Sequence, residues 1–180
     1  MCIRDRVYNN IFDEKLLDNV VDYSYNLLQQ DKLEKNFWTN HSWERGIVLD
    51  SSVVLCTDTP TEYSNEIVKS LMKNGLIKTM PDNMSCMIYI WTAGSFIPFH
   101  NDEFKDRKLA MTLFLNRDWE KNWGGANIHH NKELDKYILE YPEFNKLLVS
   151  DLSENIEHST TMTTPMSDNR ITCLLYTSPS

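Results

Sequence analysis

The chain has 180 residues, with 18 Lys and Arg against 26 Asp and Glu and a formal charge of −8. That acidic balance, with no basic stripe, excludes a nucleic-acid backbone as partner. No apolar run approaches the length of a membrane span, and the length suits one domain with a sizeable core.

The two ends stand apart. Met1-Cys2-Ile3-Arg4-Asp5 can be written ATG TGT ATA AGA GAC, and Cys173-Leu174-Leu175-Tyr176-Thr177 can be written TGT CTC TTA TAC ACA. With the first bases of Arg6 and Ser178, the second string is the reverse complement of the first. It matches a transposase adapter used in preparing sequencing libraries. Residues 1–6 and 173–180 are therefore expected to be adapter-encoded and are set aside like a tag. Without Arg4, Asp5 and Arg6 the formal charge moves from −8 to −9. Cys56 and Cys86 are then the remaining cysteines. They form neither a disulfide framework nor a zinc motif and read as small buried residues of a reducing, cytoplasmic protein.

Along the chain, helices come first and strands after. Residues 13–30 carry Leu16, Leu17, Val20, Val21, Leu27 and Leu28 at helical spacing, with Asp13 placed to cap. Residues 61–74 repeat the pattern with Ile67, Val68, Leu71 and Met72; Thr61 is placed to cap and Gly75 to end the helix. Between them one strand is expected at 47–56. From Met84 onward, strand-like runs are expected at 86–92, 96–100, 108–115, 126–130, 146–150, 157–163 and 169–172. Gly94, Gly124-Gly125 and Pro165 mark turns between them. Residues 132–144 alone read as locally helical. Two helices plus seven or eight short strands predict a mainly β fold with N-terminal helices, an α+β jelly roll with an open mouth.

The chemistry lies in the second half. His100 and Asp102 alternate on a strand end, so both project to one face. His158 opens a later strand, 56 residues beyond Asp102, and Arg170 follows 12 residues after that. Two imidazoles and one carboxylate on one face of an ion leave three positions open, the arrangement of non-haem Fe(II) oxygenase sites. Alone, His158 or a His-x-Asp pair is most often an ordinary polar feature; the combination is specific. An arginine adds a fixed, charged fork for a carboxylate. His129 and His130 are adjacent, so on a strand they face opposite sides. They and His41 read as surface or pocket-lining residues. Trp119 and Trp123 read as rim packing, and Gly124-Gly125 as a tight turn.

These residues resemble a known family. From Met84 to Thr172 the chain is similar to the 2-oxoglutarate and Fe(II)-dependent oxygenases, in their prolyl 4-hydroxylase-like branch. The resemblance rests on Tyr89-Ile90-Trp91-Thr92-Ala93-Gly94, His100-Asn101-Asp102, Leu113 to Trp119, Trp123 to Ile128, His158, and Arg170-Ile171-Thr172, in the family's order. It implies a double-stranded β-helix, a distorted cupin-like jelly roll. It implies an N-terminal helical support at 7–80 and a catalytic core at 81–172, together one domain. His100, Asp102 and His158 match the iron ligands. Arg170 matches the residue that pairs with the distal carboxylate of 2-oxoglutarate, with Thr172 on the same face. Trp91 stands where many prolyl hydroxylases have a tyrosine against the co-substrate, with Tyr89 as a substitute, and Phe114 replaces a second such tyrosine.

The implied cofactors are Fe(II), 2-oxoglutarate and O2, and the resemblance admits ascorbate. The implied reaction is hydroxylation of a prolyl or other amino-acid or peptide side chain, with decarboxylation of 2-oxoglutarate to succinate and CO2. Asp102 favours hydroxylation, since related halogenases lack that carboxylate. The alternatives are a small-molecule hydroxylase of the same superfamily, a non-catalytic jelly-roll binding module and, more weakly, a zinc hydrolase, which would leave Arg170 without a role.

Overall fold

The computed structural model describes residues 6–37, 53–79, 84–102, 109–131, 135–152 and 157–177. Its strands are β1 (Arg6–Asn9), β2 (Glu34–Phe37), β3 (Val53–Asp58), β4 (Met84–Trp91), β5 (Ile97–His100), β6 (Leu109–Phe114), β7 (Asn127–Asn131), β8 (Lys136–Glu140), β9 (Lys146–Asp151), β10 (His158–Thr160) and β11 (Arg170–Thr177). Two helices, α1 (Glu14–Gln29) and α2 (Thr61–Lys73), precede most of them. The major sheet has seven strands in the order β1-β9-β6-β11-β4-β3-β2, and the minor sheet four in the order β5-β10-β7-β8. This is the expected jelly roll with helices on one side.

Period two explains how the major sheet serves two purposes. Cys86, Ile88 and Ile90 of β4, Met111 and Leu113 of β6, Leu147 and Val149 of β9, and Ile171, Cys173 and Leu175 of β11 belong to one buried cluster. Leu17 and Val20 of α1 and Ile67 and Leu71 of α2 join it, so the helices cover that face. The intervening residues of β4, Tyr89 and Trp91, form a second cluster with Val54, Cys56 and Ile97 between the two sheets. The cavity opens on this second side. The helical region and the β core therefore share one hydrophobic interior.

The helices start for different reasons. The Asp13 carboxylate accepts the Leu16 N–H at 3.0 Å and caps α1. The expected cap of α2 does not form: Pro60 holds the N-cap position and Thr61 is the first helical residue. Proline is tolerated there because the N-cap lies outside the helix, at ψ 140, and no N–H is needed at that position by the intrahelical ladder. Gly75 ends α2 at φ +71, as expected.

Three further differences from the sequence reading are structural. Residues 136–140 form β8, not a helix, paired with β7 from Asn127↔Glu140 to Asn131↔Lys136. Helix propensity is weak, and ladder formation on the sheet edge outweighs it. The edge strands β1 and β2 were not anticipated; each has four residues and little alternation to read. The last strand does not stop at Thr172. Residues 173–177 form its second half and lie centrally, between β4 and β6. His41, Trp43, the 47–52 part of the strand expected at 47–56, residues 132–134 and the turn at 153–155 lie outside the described residues.

A buried asparagine ties the segment before α1 to the sheet. Asn145, 1% exposed, donates from Nδ2 to the Phe12 carbonyl at 2.8 Å and accepts the Phe12 N–H on Oδ1 at 3.2 Å. Its backbone stands at φ +60, which asparagine tolerates and alanine resists. Asn145→Ala would leave both Phe12 groups unpaired and strain the turn. The expected loss is about 2–4 kcal/mol of unfolding free energy, read from urea titration. A change below about 1 kcal/mol would contradict this clamp.

Candidate active site

The three anticipated ligands meet at the cavity. His100 ends β5, and Asp102 follows two residues later. His158 opens β10 directly opposite His100 in the antiparallel register. His100 Nε2 lies 3.7 Å from Asp102 Oδ1, and His158 Nε2 lies 3.7 Å from Asp102 Oδ2. The imidazole centroids are 4.2 Å apart, and one donor atom from each residue lies within 4.8 Å of the others. One ion could be held by all three. Among the described residues no other His, Cys, Asp and Glu grouping of this kind occurs.

Neighbouring groups orient these side chains. His100 Nδ1 lies 2.8 Å from the Pro98 carbonyl. A carbonyl only accepts, so Nδ1 carries the proton and Nε2 presents a lone pair to the cavity. The Tyr176 hydroxyl donates to Asp102 Oδ2 at 3.3 Å. The reading of the ends set Tyr176 aside, so nothing in the sequence pointed to this contact.

Arg170 is the other pole of the cavity. It is 1% exposed, and its Nε and Nη1 have no hydrogen-bond partner. Its guanidinium carbon stands 4.6 Å from the centre of the Trp91 ring and 5.1 Å from that of Phe114. Two aromatic faces stabilise the cation without supplying an acceptor. Burial pushes the guanidinium pKa down to about 9. A buried, charged fork with vacant donors calls for an anion.

The remaining anticipated residues divide. Thr172 faces Tyr89 across the β4–β11 ladder, and both line the cavity. Trp91 lines it too, but its indole N–H donates to Thr172 Oγ1 at 3.0 Å. That bond occupies an acceptor site of Thr172 and leaves the hydroxyl proton free to point elsewhere. Trp91 thus acts through Thr172 and as a plate for Arg170. His129 is buried and lines the cavity, whereas His130 lies 3.3 Å from Asp135. The expected opposition of these neighbours holds. Trp119 donates to the Gly124 carbonyl at 3.0 Å and packs edge-to-face on Trp123 at 5.3 Å, as rim packing requires. The cavity holds about 800 Å³ including its open mouth.

Comparison with known proteins agrees with this geometry. The sequence model of the 2OG-Fe(II) oxygenase superfamily matches residues 84–174, just over half the chain. The chain belongs to this superfamily and is a 2-oxoglutarate-dependent dioxygenase, with Fe(II), 2-oxoglutarate and O2 as its cofactors. Its fold is similar to that of a prolyl-4-hydroxylase from Pseudomonas putida, at 14% identity and TM-score 0.74, over 98% of this chain and 93% of that one. A prolyl hydroxylase from Trichoplax adhaerens, in complex with a peptide fragment of the hypoxia inducible factor oxygen degradation domain, aligns at 17% identity and TM-score 0.76, over 97% and 83%. A viral collagen prolyl hydroxylase from Paramecium Bursaria Chlorella virus-1, in complex with 2-oxoglutarate, aligns at 12% identity and TM-score 0.62, over 98% and 96%. No curated protein matches by sequence. No described helix is long and apolar enough to cross a membrane.

Gly125 offers a test of the Arg170 pole. It stands at φ +65, and a Cβ there would lie 2.9 Å from Arg170 Cδ and 3.2 Å from Thr163 Cγ2. Gly125→Ala should push the guanidinium stem aside and reduce 2-oxoglutarate affinity by about tenfold or more, while metal affinity holds. Equilibrium titration of each ligand checks this. Unchanged 2-oxoglutarate affinity would show that the stem has room to move.

Proposed function

We propose that His100, Asp102 and His158 bind the Fe(II), that Arg170 binds the distal carboxylate of 2-oxoglutarate, and that the enzyme hydroxylates a prolyl or other amino-acid or peptide side chain. One observation carries the reading: the unpaired, buried Arg170 guanidinium opens into the same cavity as the three-residue donor set. A metal-bound dicarboxylate satisfies both poles at once. A zinc hydrolase would leave the arginine without purpose, and a binding module would have no need of an open metal face.

The residues fit the cofactors by donor chemistry. Two imidazole nitrogens and one carboxylate suit Fe(II) and leave positions for exogenous ligands. Thr172 adds a hydroxyl that donates beside Arg170, held in place by Trp91. The Trp91 and Phe114 rings around Arg170 exclude water and strengthen the charge-assisted contact. The bound metal and co-substrate supply the oxidising chemistry that turns 2-oxoglutarate into succinate and CO2 and hydroxylates a C–H bond. The protein holds the reactants in register.

The substrate class rests on two supports. The fold is that of prolyl hydroxylases, one of which holds a peptide in its structure. Asp102 keeps the carboxylate that directs such sites to hydroxylation. The helices join the catalytic strands through one buried cluster, which supports reading 7–172 as one working unit.

Succinate formation from 2-oxoglutarate under air, without added substrate, tests the assignment. The wild-type protein should form it slowly. His100→Ala, Asp102→Ala or His158→Ala should abolish it and weaken Fe(II) binding; full turnover in any of them would remove that residue from the ligand set. Arg170→Ala should keep Fe(II) affinity and lose about 2–5 kcal/mol in 2-oxoglutarate binding, or about 1.5–3.5 decades. An Arg170→Ala variant with undiminished 2-oxoglutarate affinity would make the arginine purely structural.

A further inference from the structure

The minor-sheet wall of the cavity carries polar side chains that the proposed site does not use. Asn127 and His129 are two residues apart on β7, so they project to one face. Both line the cavity together with His100, Asp102, His158 and Arg170. His129 is 7% exposed. Among the described residues, neither side chain makes a hydrogen bond with the protein. The next residue shows the contrast: His130, on the outer face, lies 3.3 Å from the Asp135 carboxylate. His129 therefore turns its imidazole to the cavity, where its ring nitrogens are available to a ligand.

Position narrows what that ligand is. His129 stands opposite His158 in the β7–β10 register, while His100 stands opposite His158 on β5. The three imidazole residues thus form one row across the sheet, with His129 on the side of His158 away from His100. His129 is nevertheless outside the set of donors that fall within 4.8 Å of one another, so it flanks the metal site without joining it. Asn127 lies one pleat further along β7, opposite Thr160 and toward Gly125, whose Cα side faces the Arg170 stem. A ligand that reaches from the triad to Arg170 therefore runs along this strand.

Across the cavity the Tyr176 hydroxyl donates to Asp102 and the Tyr89 hydroxyl to the Met87 sulfur, while the Thr172 hydroxyl stands beside Arg170. The Trp91 N–H is committed to Thr172. We propose that β7 supplies further contacts to the co-substrate: His129 donates a hydrogen bond to an oxygen of 2-oxoglutarate beside the metal and Asn127 to one further along, while Arg170 holds the distal carboxylate. The inference rests on the site proposed above and deepens it. Asn127 and His129 are positioning residues for the co-substrate, placed along the strand between the metal site and Arg170.

The test uses Mn(II)-loaded protein, which binds the co-substrate without turning it over, and isothermal titration with 2-oxoglutarate. His129→Phe keeps the ring volume and strand preference but removes the donors. It should weaken 2-oxoglutarate binding by about tenfold or more, the usual cost of a lost bond to a charged oxygen. Asn127→Leu should also weaken it, and the double variant should be weaker than either. His129→Gln keeps a donor and should stay within about threefold of wild type. Mn(II) affinity, read by electron paramagnetic resonance without co-substrate, should be unchanged throughout. If His129→Phe fails to fold, Asn127→Leu and His129→Gln still decide the matter. Wild-type 2-oxoglutarate affinity in Asn127→Leu and in the double variant overturns the proposal and leaves β7 to the primary substrate. Loss of Mn(II) affinity in His129→Phe overturns it as well, because His129 would then serve the metal. Failure of wild-type protein to bind 2-oxoglutarate with Mn(II) would instead overturn the proposed function, and the β7 role with it.

Discussion

An arginine that is 1% exposed, with Nε and Nη1 unpaired, is the constraint from which the rest of the site follows. Such a cation is costly to bury, and the fold spends much of its architecture keeping it there. Trp91 and Phe114 face it, Gly125 leaves room for its stem, and β11 carries it between β4 and β6. The two rings offset part of that cost, and an arriving carboxylate would offset more. The donor set of His100, Asp102 and His158 lines the same cavity, so a metal-bound dicarboxylate would satisfy both demands at once.

Strand β11 links stability to function through its alternation. Ile171, Cys173 and Leu175 pack in the core on the helix side, whereas Arg170, Thr172 and Tyr176 face the cavity. A slip of one residue would bury the polar set among the helices and place aliphatic groups at the site. Pairing on both edges, with β4 and β6, holds the register. The helices contribute indirectly by covering the apolar face that fixes this phase.

Much of this was legible in the sequence because the relevant signals are local. His100-x-Asp102 reads directly as two side chains on one strand face, and the apolar period of 13–30 reads directly as α1. The pairing of His158 with His100 required resemblance as well as spacing, since two distant strands must meet. What was not legible depends on partners. Residues 136–140 carry helix-forming Lys, Leu and Glu, yet β7 recruits them into a ladder. Trp91 faces the cavity as expected, but only the register with β11 shows that its N–H goes to Thr172. Alternation says that His129 and His130 face apart; it takes the sheet order to say which one turns inward. Tyr176 escaped because the codon reading of the chain's end set it aside, although its hydroxyl reaches Asp102.

The central claim is that one cavity binds a metal through His100, Asp102 and His158 and a 2-oxoglutarate dicarboxylate through Arg170. Anaerobic titration of the protein with Fe(II) and then 2-oxoglutarate, followed by visible absorption, tests it most directly. The expected result is a metal-to-ligand charge-transfer band that saturates at one 2-oxoglutarate per protein and requires both components. A protein that binds Fe(II) and 2-oxoglutarate independently, with no such band, would contradict it.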